Sequence, residues 1–134
     1  MTSLDPVTAN SAQKMGTFTA TIDREPDFLA NDVLLHKFTG EKPGGMIIAN
    51  ISSTYHLAIG FPPGIDENKE VKLNYPFPTQ GNLQWSYRNG ETILNAQTGT
   101  ITITLTSNRA TGVFDFITNE TTPRKVTGKF DASR

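Results

Sequence analysis

Gly99-Thr100-Ile101-Thr102-Ile103-Thr104-Leu105-Thr106 alternates apolar and polar side chains without a break. Successive side chains of a β-strand point to opposite faces, so Ile101, Ile103 and Leu105 share one face and the four threonines share the other. A helix would scatter the same residues around its circumference. The stretch therefore reads as a strand with one buried and one wet face, and the rest of the chain can be tested against the same period.

Much of it conforms. Phe18, Ala20 and Ile22 alternate with Thr17, Thr19 and Thr21 in a first strand over Met15 to Asp23. Asp23-Arg24-Glu25-Pro26-Asp27 breaks it, because Pro26 has no N–H to donate and the charges favour water. Phe28 to Phe38 carries apolar groups on both faces (Val33 and Leu35 against Leu34, His36 and Phe38). It reads as a strand covered on both sides in preference to a short helix. A Gly/Pro turn at 39–45 leads to a strand at Met46 to Ile51, and Tyr55, Leu57, Ile59 and Phe61 mark the next. Val71, Leu73, Tyr75 and Phe77 form another stripe, whose Pro76 and Pro78 imply an edge strand or an exit from the sheet. Gly81-Asn82 is a turn, and Leu83, Trp85 and Tyr87 follow at spacing two. Asn89-Gly90 signals a tight hairpin, with a short strand over Glu91 to Ala96 before Gly99. After a turn at 107–109 come Gly112 to Thr118, a polar loop at 119–123, and a last strand over Val126 to Phe130.

That is about eight to ten strands with turn signals every eight to twelve residues, the signature of an all-β sandwich or barrel. The expected architecture is a single antiparallel β-sandwich or closed β-barrel with a C-terminal meander. Residues 1–14 read as a loose, polar tail, and 15–134 as one domain. With 134 residues, a chain buries roughly 65–70% of its unfolded surface and needs no disulfide or metal to fold.

Composition excludes several chemistries. There are no cysteines, so thiolate metal sites and cysteine nucleophiles are absent. The formal charge is -1, which offers no field for nucleic acid or an anionic membrane. Apolar runs are too short for a transmembrane helix. The first residues lack the basic start and apolar core of a signal peptide, so an exported protein would be represented here by its mature form; the compartment is open. Nineteen threonines favour strands.

Gly16-Thr17-Phe18-Thr19-Ala20-Thr21-Ile22-Asp23, Phe28-Leu29-Ala30, Gly99 to Thr104, Gly112-Val113-Phe114-Asp115-Phe116 and Val126-Thr127-Gly128-Lys129-Phe130 occur in that order. The series resembles a family of small bacterial all-β domains of unknown function, common among exported lipoproteins of the Bacteroidetes, over residues 16–131. The resemblance implies a compact antiparallel β fold and brings no catalytic residues. The chain departs from it in lacking a lipobox cysteine.

Candidate sites are few. His36 and His56 are the only histidines; His36 reads as partly buried among apolar neighbours and His56 as solvated. Neither has the neighbours in sequence of a metalloprotease or nucleophile-elbow motif. Asp23, Glu25 and Asp27 cluster in one turn, and Asp66, Glu67 and Glu70 in another. Paired carboxylates can hydrolyse glycosides or hold calcium, but calcium-loop spacing is missing and charged turns are ordinarily solvated. The threonine faces are reminiscent of ice-binding arrays, yet threonine is simply a good residue for a wet strand. Trp85, Tyr87 and Tyr75 belong either to the core or to an exposed aromatic platform beside Pro76 and Pro78. On such a platform Arg88, Gln84 and Asn89 would supply hydrogen bonds. The candidate ligand-binding residues are Trp85, Tyr87, Tyr75 and Arg88, in the segment 75–88.

The sequence thus reads as a non-catalytic binding or interaction module, its partner an unidentified protein, saccharide or small apolar ligand. No catalytic residue, metal site or cofactor is assigned. A second reading is a lipocalin-like barrel carrying a small apolar ligand. A third, a hydrolytic enzyme, is weakened by the scarcity of histidines.

Overall fold

The computed structural model describes residues 16–77 and 84–134. The expected tail at 1–14, and the expected turn at Gly81-Asn82 with Pro78 and Leu83, lie outside the described residues. Ten strands follow in chain order: β1 (Gly16–Ile22), β2 (Phe28–Leu29), β3 (Asp32–Lys37), β4 (Gly45–Ser52), β5 (Tyr55–Phe61), β6 (Glu70–Tyr75), β7 (Ser86–Asn89), β8 (Thr92–Leu105), β9 (Arg109–Thr118) and β10 (Lys125–Ser133). They pair antiparallel in the order β2-β1-β10-β9-β8-β7-β5-β4-β3, with β6 also on β8. The sheet curls strongly into a half-barrel. No helix of the described residues is long and apolar enough to cross a membrane.

The stretch from Gly99 is the second half of one long strand, where the sequence suggested two. In β8, Leu94 and Ala96 are buried, and then Ile101, Ile103 and Leu105. The buried parity switches from even to odd. The switch is a β-bulge: Ile117 of β9 faces Thr98 and Thr118 faces Ala96, leaving Gln97 unmatched. One extra residue returns both halves to the same core. A strict period-two reading breaks at that point and sees two strands.

β8 is also where the sheet divides. Thr92 to Asn95 pair with β7, whereas Gly99 to Thr104 pair with β6 on one side and β9 on the other. β7 covers β5 only from Tyr55 to Ala58. The wall therefore forks between β6 and the end of β5. At the far side of the sheet, one stretch of chain joins its two ends. Phe28-Leu29 pair with β1, and Asp32 to Lys37 pair with β4. Phe28 to Phe38 is thus strand rather than helix, but it is covered on one side only. Leu34 and Phe38 are exposed.

The C-terminal meander β8-β9-β10 is present, with Ile101, Ile103, Leu105, Phe114, Phe116 and Phe130 all in the core. The hairpin between β7 and β8 turns on Gly90-Glu91, one residue later than the sequence suggested. Asn89 pairs with Thr92 and Gly90 has φ 64°, the left-handed position that a II′ turn reserves for glycine. The concave side is filled by side chains. Phe18 packs on Phe28, Phe114 and Phe130 at centroid distances of 5.4–6.3 Å, and Phe114 on Phe116 at 6.2 Å.

Candidate functional site

The aromatic segment does not form an exposed platform. Trp85 and Tyr87 are both 0% exposed; Tyr75 and Arg88 are half-buried, and Gln84 is exposed. Trp85 fills the fork in the wall. Its indole N–H donates to the Gly60 carbonyl on β5 at 2.8 Å, and its ring stacks on Tyr75 of β6 at 4.6 Å and tilts against Phe116 at 6.0 Å. Gly99 makes the seat: a Cβ there would lie 2.7 Å from Phe116 Cβ and 2.9 Å from Trp85 Cζ3. Burial of so large an apolar surface drives this arrangement, and the hydrogen bond spares the indole N–H an unsatisfied burial. Arg88 donates from Nε to the Gly90 carbonyl and braces its own hairpin.

Tyr87 leads instead to a polar cluster that closes one end of the half-barrel. Its hydroxyl donates to Glu25 Oε1 at 2.8 Å, joined by Asn89 Nδ2 at 3.3 Å. Arg124 donates to Glu25 Oε2 at 3.2 Å. Arg124 Nε lies 3.2 Å from Glu120 Oε2 at an angle unsuited to a hydrogen bond, so that contact is an ion pair. Buried Thr118 donates to Glu120 at 2.5 Å and accepts from Arg124 N at 2.8 Å. The turn that presents Glu25 puts Arg24 at φ 65°, an unfavourable angle for a side-chain-bearing residue. Arg24 is held there by donating to Thr122 O, while Asp23 accepts from Lys125 N.

Burial works against the charge on Glu25, but the hydrogen bonds from Tyr87 and Asn89 and the Arg124 guanidinium outweigh it and hold the carboxyl below its usual range. Burial, then the Glu25 carboxylate, pushes the Tyr87 hydroxyl up. Glu25 is thus ionised at neutral pH with both oxygens hydrogen-bonded, which suits a clamp between three segments. The turn carboxylates diverge: Asp23 caps Lys125, Glu25 enters the cluster, and Asp27 faces a groove elsewhere. Asp66 pairs with Lys42 at 2.5 Å and Glu67 lies 3.8 Å from Lys37. Among the described residues no three His, Asp or Glu converge as a metal site. The histidines reverse expectation. His36 is exposed, edge-on to Phe38 at 5.3 Å, and His56 is half-buried, because the outer face of β3 is uncovered while His56 lies between Asn50 and Arg88 on inner strands.

The outer face supplies the remaining candidate. The register aligns Leu29, Thr19, Lys129, Val113, Thr102 and Lys72 in one row across six strands, with Thr21, Thr127, Asp115 and Thr100 in the next. A groove of about 600 Å³ crosses these rows between Asp27 and Val113. Leu29 and Val113 are 61% and 53% exposed. Lys129 and Asp27 make no ion pair among the described residues. The threonine faces of β1 and β8 do share this surface, but Lys129, Asp115 and Asp131 interrupt any regular hydroxyl lattice. Of the groove residues, the sequence offered Asp27 as part of a carboxylate cluster and Thr19 and Thr21 as part of a threonine face, but not Leu29, Val113 or Lys129. No family model, curated protein or solved structure matches the chain.

Proposed function

We propose that the protein is a non-catalytic binding or interaction module, and that it makes contact through the outer face of its sheet rather than through the aromatic segment 75–88. The observation that carries this is the outer groove, where two exposed aliphatic side chains, Leu29 and Val113, flank Lys129, which forms no ion pair among the described residues, beside threonine hydroxyls and Asp27. Exposed apolar groups set among convergent polar ones are the usual make-up of a recognition surface. The resemblance to bacterial β domains without known catalytic residues agrees with that reading. So does the Glu25 carboxylate, which is engaged by Tyr87, Asn89 and Arg124 in tying three segments together.

The rival carrier reading needs an internal cavity, and the concave side is occupied by rings in mutual contact. The two are separated by titrating the protein with soluble glycans, peptides and the fluorescent apolar probe anilinonaphthalene sulfonate, monitored by amide NMR. The module reading expects shifts at Thr19, Thr127, Val113 and Lys129 with one of the polar probes, weakened by Val113→Asp. Saturable one-to-one uptake of the apolar probe with shifts at Phe18 and Phe114 would instead establish the carrier.

A further inference from the structure

Among the described residues, the fork in the wall leaves one side of β6 as an edge. Among the described residues β6 pairs with β8 alone, so half of its N–H and C=O groups face away from the sheet. Its six residues span about 20 Å. Beside residues 69–73 runs a groove of about 430 Å³ whose opposite wall is Pro62, Pro63 and Ile65. Within it the side chains alternate. Val71 and Leu73 are half-buried towards the core, and Glu70 and Lys72 are exposed on the outer face. Neither Glu70 nor Lys72 makes an ion pair among the described residues. A backbone edge, a slot lined by both apolar and charged side chains, and two charges of opposite sign at spacing two are the components of strand addition.

We infer that β6 is a docking edge for an extended peptide strand of a partner protein, with apolar residues alternating with charged ones. In an antiparallel pairing the partner sets an acid opposite Lys72 and a base opposite Glu70. Its backbone completes the ladder, and its apolar side chains enter the slot between Val71, Leu73 and the Pro62-Pro63 wall. Lys72 has two effects here: it discourages indiscriminate edge pairing, and it selects the charge of what is admitted. This edge lies on the opposite side of β8 from the Leu29–Val113 groove, so either can fail without the other.

The test uses the whole chain and two capped heptapeptides. One has the sequence of residues 69–75, Lys-Glu-Val-Lys-Leu-Asn-Tyr, which carries the required alternation and, centred on Val71, sets its own Glu opposite Lys72. The other has its Glu and Lys residues exchanged. Amide NMR should show saturable shifts and exchange protection confined to Glu70 to Leu73 with the first peptide, and binding about tenfold weaker with the second. The double variant Glu70→Lys, Lys72→Glu, altered only at exposed positions, should reverse that preference. Absence of shifts at β6 with millimolar peptide, or binding indifferent to the exchange, overturns the assignment. Concentration-dependent sedimentation of the peptide-free protein, with the same amides protected, overturns the partner peptide and gives the edge to a second copy.

Discussion

Gly99 of β8 and Trp85, just before β7, pack as one feature. A Cβ on Gly99 would meet the Asp115 carbonyl oxygen most closely, then Phe116 Cβ and the indole, and the indole reaches across to the Gly60 carbonyl. Gly99→Ala should therefore lower stability by about 1–3 kcal/mol, read as a lower urea midpoint together with a red-shifted tryptophan emission. Trp85→Ala should cost about 3–5 kcal/mol. At Glu25 the prediction concerns pH. Its folded pKa lies below the unfolded reference of 4.5, so its contribution is complete above that pH and is lost as the pH falls through the folded value. Glu25→Gln should cost about 1–3 kcal/mol at neutral pH. Thermal melts from pH 7 to pH 3 should show the wild type losing more stability than the variant below about pH 4.5. Equal losses in both would mean that the cluster does not hold Glu25 ionised.

Among the elements, β8 decides the most. Its bulge at Gln97 lets one strand serve two partners, and the parity of burial depends on it. Deleting Gln97 would leave an even step from Ala96 to Ile101, so a regular strand without the bulge would carry Leu94, Ala96, Ile101 and Ile103 on one face. That variant should keep a dispersed amide NMR spectrum, as should one with a glycine inserted in the turn at 107–108. β3 illustrates a different limit. Its apolar residues on both faces suggested double cover, yet Leu34 and Phe38 remain exposed. Periodicity reports which residues share a face; it does not report whether anything lies over that face.

For the molecule as a whole, Lys37 shows how the half-barrel is held at the end opposite Glu25. Its side chain is only 6% exposed, and its ammonium donates to the Thr106 carbonyl at 2.8 Å and the Ser107 carbonyl at 3.3 Å. The end of β3 is thereby tied to the β8–β9 turn. Lys37→Met keeps the aliphatic stem and removes the donors, so it should cost about 1–3 kcal/mol and raise hydrogen exchange in the 106–108 turn. The expected contact residues divide along the same global lines. Trp85 and Tyr87 went to the core because the curled sheet leaves a fork there to be filled, and Arg88 went to its own hairpin. The Glu25–Arg124 cluster joins residues ninety-nine positions apart, a pairing no local pattern encodes.

By itself the sequence determined the strands, their inward faces and the C-terminal meander, because alternation, turn chemistry and short links act within a few residues of one another. Only the tertiary structure decided that two readings around Gln97 are one strand. It also decided that Trp85 plugs a fork, and that among the described residues β6 and the Leu29–Val113 row are left open. These depend on which distant strands become neighbours, and that is settled by the curl of the whole sheet around its core.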